Sequence, residues 1–92
     1  MATLRERKNY RKTILKALYD AVEGNRPGMT GAKLRDDLHM PEQDLAAACM
    51  YLAGEGLITV EWTSHNTPAM VTLTHEGIRL METEETEEEE RG

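Results

Sequence analysis

The sequence predicts an α+β domain that is mainly helical: a bundle of three helices, a C-terminal β-hairpin and a short final helix. Three observations predict it. Apolar residues recur at helical spacing in three segments of residues 1–55. Two runs of β-formers, residues 57–62 and 69–73, flank a polar turn at 63–68. A threonine, Thr74, then opens a last apolar-periodic segment.

The first helix is expected from about Leu4 to Val22. Ile14, Leu15, Leu18 and Val22 fall on one stripe, with Tyr10 a turn earlier. Arg5, Arg7, Lys8, Arg11, Lys12 and Lys16 are read as lying mostly off that stripe. The first two turns hold no apolar residue but Leu4, so they are expected either to fray or to pack on something outside the domain. Gly24-Asn25-Arg26-Pro27-Gly28 stops the helix and forms a loop. Thr30 is the expected N-cap of a second helix, with Met29 and Leu34 as a hydrophobic staple, Leu34 and Leu38 on the buried face, and an end near His39-Met40.

Pro41 suits the first position of a third helix, where a missing N–H costs nothing. Glu42 and Asp44 complement the helix dipole there. Leu45, Ala48, Cys49 and Leu52 mark its core face, and Gly56 is the expected left-handed residue of a Schellman stop, folding Leu57 back on Leu52. In the first strand Ile58, Val60 and Trp62 share a side. Val71 and Leu73 share one in the return strand, which starts at Ala69. Thr74 caps the final helix, which carries Ile78 and Leu80 or Met81. No apolar residue follows Met81. Residues 1–81 are therefore read as the domain, and residues 82–92 as an acidic tail that is disordered or a fraying helix extension.

Ninety-two residues suit one small domain. With one Trp, three Tyr and no Phe, its core must be aliphatic. No apolar run approaches the roughly 20 residues of a membrane span, and the start lacks the apolar stretch of a secretory signal. A single cysteine, Cys49, forms no intrachain disulfide, which points to a reducing cytoplasm. The net charge of −6 is unevenly placed. Residues 82–92 hold seven Glu and one Arg. Residues 1–18 hold six cations against Glu6. Residues 19–81 hold four basic against nine acidic residues. Such blocks are usually solvated faces and only sometimes binding sites.

Two stretches, Tyr51-Leu52-Ala53-Gly54-Glu55-Gly56-Leu57-Ile58 and Val71-Thr72-Leu73-Thr74-His75-Glu76-Gly77, follow the helix pair spanning Thr30 to Leu45. Over about Lys12 to Met81, this order resembles the winged helix-turn-helix superfamily, broadly the MarR-like and PadR-like transcription regulators. The resemblance implies a small DNA-binding transcription regulator, acting as a homodimer on duplex DNA. It implies a third helix in the major groove, with Gln43, Ala46, Ala47 and Met50 facing bases and Glu42 at the edge. The hairpin tip, Ser64, His65 and Asn66, would follow the backbone.

Base reading most often uses Arg, Lys, Asn or Gln, and of these the third helix offers only Gln43. Phosphate contacts need cations, so the candidates are Lys33 and Arg35 on the second helix and Arg5, Arg7, Lys8, Arg11 and Lys12 on the first. The competing expectation is a protein-interaction module in which Ala46, Ala47 and Met50 dock on a partner protein or a second copy, with Trp62 as an interface anchor or as the core edge closing the hairpin over the first helix. Cys49 reads as a core residue. His39, His65 and His75 show no metal-ligand spacing. With no phosphate loop or catalytic constellation in view, neither enzyme activity nor a cofactor is expected.

Overall fold

The computed structural model describes the backbone of residues 3–91 and the side chains of residues 3–84. Its fold is α+β and mainly helical, with four helices and one three-stranded antiparallel sheet among the described residues. In order these are α1 (Leu4–Glu23), β1 (Met29–Thr30), α2 (Gly31–Leu38), α3 (Glu42–Gly54), β2 (Ile58–Trp62), β3 (Pro68–Leu73) and α4 (His75–Arg91). The sheet order is β1-β3-β2, so β3 lies between the other two strands.

The core is aliphatic. Ile14 and Leu18 of α1, Leu34 of α2, Leu45, Cys49 and Leu52 of α3, and Val71 of β3 are sealed from solvent. Burying a side chain of this size stabilises by about 1.5–3 kcal/mol, so this set supplies most of what holds so small a domain together. Val71 sits at the centre because its strand is paired on both sides, with Val60 of β2 and Met29 of β1.

The helix ends follow from local chemistry. Thr3 caps α1 with a full capping box: its hydroxyl accepts from the Glu6 N–H, and the Glu6 carboxylate answers to the Thr3 N–H. The first turns of α1 are therefore regular helix, although their side chains are exposed. Thr30 caps α2 by accepting from the Lys33 N–H at 3.2 Å. Gly56, at φ 77°, ends α3. The Leu57 and Gly56 N–H groups donate back to the Leu52 and Ala53 carbonyls at 3.0 Å each, as the Schellman reading requires. Thr74 ties this stop to α4: its hydroxyl donates to the Gly56 carbonyl at 2.6 Å and accepts from the Gly77 N–H at 3.1 Å.

Several expectations change. Pro41 is the N-cap of α3, with extended backbone, and Glu42 is the first helical residue. Pro68 belongs to β3 rather than the turn. It is the first residue of that strand, where a missing N–H is tolerated. Met29 and Thr30 form a third strand as well as staple and cap. Trp62 is 39% exposed, because a register shift between Glu61 and Trp62 breaks the alternation that would have turned it inward with Ile58. It is not part of the core edge. The last helix is not short: its backbone is helical to Arg91. The disorder expected for residues 82–92 concerns a stretch whose side chains from residue 85 on, and all of residue 92, lie outside the described residues.

Gly31, the first residue of α2, is buried against the start of β3. A Cβ there would land on the backbone carbonyl of Pro68, which cannot swing aside as a side chain can. Gly31→Ala is expected to destabilise by about 1–3 kcal/mol through overpacking. Gly54→Ala, where a Cβ meets nothing within 4 Å, is expected to be neutral or to stabilise by up to about 1 kcal/mol. Urea midpoints of the two variants check both; equal midpoints contradict the packing described.

Candidate nucleic-acid interface

Helix α3 buries one face and shows the other. Leu45, Ala48, Cys49 and Leu52 point into the core, at helical spacing. Gln43 and Ala47 are exposed, Ala46 is half-buried, and Met50 is 66% exposed. The outward face is thus small and apolar beyond Gln43, and it holds no cation.

The cations stand on neighbouring elements. On α2, Lys33 pairs with Asp37 at 3.2 Å, and Arg35 pairs with Asp36 at 3.3 Å and with Glu42 of α3 at 3.9 Å. All these partners are well exposed, and such surface pairs contribute only about 0–1 kcal/mol. They screen the cations without locking them away from a stronger anion. The Arg35–Glu42 contact also offsets the carboxylate that α3 places in its first turn.

On α1 the six cations divide between two faces. Arg11 stands three, four and seven residues before Ile14, Leu15 and Leu18, so it continues the core stripe rather than leaving it. Arg7 is one turn earlier on the same face. The Arg11 guanidinium carbon lies 3.6 Å from the centroid of the Tyr51 ring on α3, a cation–π contact worth about 0.5–2 kcal/mol depending on desolvation. Its Nε is buried there with no hydrogen-bond partner among the described residues. Arg7, Tyr10 and Arg11 form one wall of a groove of about 530 Å³, whose other wall is Asp44, Ala47, Met50 and Tyr51. Tyr10, Asp44 and Tyr51 were not among the expected site residues. Their spacing on each helix is visible in sequence, but the meeting of the helices is not.

Arg5, Lys8 and Lys12 lie elsewhere, around a shallower depression of about 350 Å³ with Leu4 and Asn9. The structure therefore brings Arg7, Arg11, Ala47 and Met50 together and leaves Arg5, Lys8 and Lys12 apart from them. On the opposite side of α3, Arg35 and Glu42 line a cleft of about 270 Å³ with Thr30, Thr63 and Pro68. This cleft reaches the base of the hairpin.

The hairpin tip is ordered around one side chain. The Thr63 hydroxyl accepts from the His65 and Thr67 N–H groups at 3.2 and 3.3 Å, and its backbone pairs with Thr67 at 2.8 Å. Asn66 takes the left-handed conformation, φ 60°, that asparagine tolerates. Ser64, His65 and Asn66 are all exposed. The tip adds polar groups but no permanent positive charge.

Among the described residues, no group of three or more His, Cys, Asp or Glu could hold a metal ion, and no helix is long and apolar enough to cross a membrane. Cys49 is fully buried, and desolvation pushes its thiol up to about 11. Between the unfolded thiol's ordinary value and 11 the folded state holds the extra proton, so stability must fall as pH rises through that window. At neutral pH Cys49 is expected to resist a maleimide until the chain unfolds. Full labelling of the native protein within minutes contradicts its burial. Comparison with known proteins found no family model, no curated protein and no solved structure that matches this chain.

Proposed function

We propose that this chain is a winged-helix regulator of transcription that binds duplex DNA as a homodimer. In this reading α3 enters the major groove, α1 supplies the positive charge that α3 lacks, and the hairpin follows the neighbouring backbone. The observation that carries it is the placement of Arg7 and Arg11 beside the exposed face of α3. A recognition helix without cations binds weakly by itself, because neutralised phosphates supply most of the sequence-independent affinity. Guanidinium groups on one flank and Arg35 on the other answer that need within a single copy. Gln43, at the exposed start of α3, suits adenine. Ala46 and Ala47 are small enough to let the helix approach base edges closely.

The apolar character of the same groove favours a second reading. Met50 at 66% and Tyr51 at 45% exposure are unusually bare for a domain with so few large side chains, and Asp44 opposes phosphate. A protein-interaction module would use Ala46, Ala47 and Met50 as its contact face, with Arg7 and Arg11 at the rim.

One substitution separates the two. Ala47→Arg adds a cation on the outward face of α3. It is expected to tighten binding to a mixed-sequence duplex if α3 meets DNA, and to abolish docking if α3 meets protein. For the DNA reading, fluorescence anisotropy across a salt series is expected to give a linear log–log plot. Replacing Arg7 and Arg11 by Gln should lower its slope by about 2, since each lost phosphate contact removes about 0.9. Absence of binding to any duplex at low salt, by wild type and Ala47→Arg alike, sinks this proposal.

A further inference from the structure

We infer that the α1–α3 groove is closed by the same groove of a second copy of this chain, with the two α3 helices antiparallel about a two-fold axis at Ala47. The protein-contact reading of this face thereby gains one occupant, and this dimer rests on that reading. Its α3 helices are covered, so DNA and the second copy exclude each other, and a dimer on DNA must pair through another surface.

The groove is apolar along its middle and carries both signs of charge on its walls. Ala47, Met50 and Tyr51 are exposed, and covering them removes apolar surface from water. Arg7 and Arg11 stand on the α1 wall, and Asp44 on the α3 wall. Among the described residues neither Arg7 nor Asp44 has an ion-pair partner, unlike Lys33, Arg35 and Arg79. One copy thus brings opposite charges to one groove without joining them. Duplex DNA answers only the guanidinium groups, and Asp44 opposes it. A second copy answers both signs.

The order of residues along α3 fits a two-fold contact. Asp44 and Met50 stand three residues to either side of Ala47, about 4.5 Å along the helix each way. An antiparallel pair of α3 helices centred on Ala47 therefore sets each Asp44 across from Met50 of the partner subunit, next to the partner's Tyr51. In each copy the Arg11 guanidinium carbon lies 3.6 Å from the centroid of that ring, with Arg7 one turn earlier on the same face of α1. Each Asp44 so meets the cations of the other copy, and the symmetry makes the contact twice. The small side chain of Ala47 at the crossing lets the two helix axes approach to about 8 Å, the near end of helix-packing distances.

Without DNA, sedimentation of the full chain is expected to show a monomer–dimer equilibrium that Met50→Glu shifts to monomer. Asp44→Lys and Arg7→Glu are each expected to weaken the dimer. An equimolar mixture of these two variants is expected to associate more tightly than either alone. The mixed pair keeps the native charges at one of its two contacts and reverses the signs at the other, whereas each variant alone has both contacts spoiled. With a copper oxidant, Ala47→Cys is expected to form an intermolecular disulfide much faster than Ser64→Cys at the hairpin tip, while the native Cys49 is buried and does not compete. A wild type that stays monomeric up to millimolar concentration overturns the inference. So does a dimer that Met50→Glu leaves intact, a mixture no tighter than its components, or equal crosslinking at the two sites. A duplex titration that fails leaves these results unchanged, and a dimer that fails leaves the α3–DNA contact standing, so the two ideas fail separately.

Discussion

The packing of α1 across α3 is the constraint on which the other features depend. Ile14, Leu15 and Leu18 of α1 and Leu45, Cys49 and Leu52 of α3 belong to one buried cluster, and the contact between the two helices does not stop where the apolar residues end. The same helical stripe continues N-terminally to Arg11 and Arg7, and the contact continues as a guanidinium lying over the Tyr51 ring. An arginine at the margin of an aliphatic core serves two purposes. Its stem and planar head cover apolar surface, and its charge stays at the rim. The rigid core thereby fixes two cations beside a helix that has none.

This arrangement also sorts the charges of the chain. Each turn of α1 carries its cations to one side or the other, so Arg7 and Arg11 face α3 while Arg5, Lys8, Lys12 and Lys16 face away. The net charge of −6 is a poor guide to either surface, because the glutamates that dominate it are concentrated in the distal part of α4. A domain whose basic and acidic residues occupy opposite ends of the chain is neutral over residues 1–81, with ten of each sign, yet locally polarised. Local fields, set by which side of a helix a residue occupies, govern the proposed DNA contact.

Much of the fold was legible because it rests on short-range chemistry. Thr30, Gly56 and Thr74 announce their caps within four residues, and the stripe Leu45, Ala48, Cys49, Leu52 is a plain helical repeat. Failures came where tertiary context decided. The two residues of β1 are too few for periodicity to register, and they are a strand only because Val71 and Met70 offer an edge. Trp62 follows the alternation of its strand on paper, but a bulge one residue earlier turns it out. The regular first turns of α1 had a signal, Thr3 followed three residues later by Glu6, that was outweighed by the absence of apolar residues. At the site, Ala47, Met50 and the hairpin tip were legible by position. The grouping of Arg7 and Arg11 with Tyr51 was not, because it joins two helices about 40 residues apart, a separation that no local pattern encodes. The spacing of Arg11 from Ile14, Leu15 and Leu18 was nevertheless there to be read.

The most direct examination of the composite α1–α3 surface is an amide-resolved NMR titration of the full chain with a short mixed-sequence duplex in low salt. Shifts are expected to concentrate at Arg7, Tyr10 and Arg11 of α1 together with Gln43, Ala46, Ala47 and Met50 of α3, with a weaker set at Ser64, His65 and Asn66. Shifts confined to the outer face of α1, or none on α3, contradict the idea that the two helices form one nucleic-acid surface.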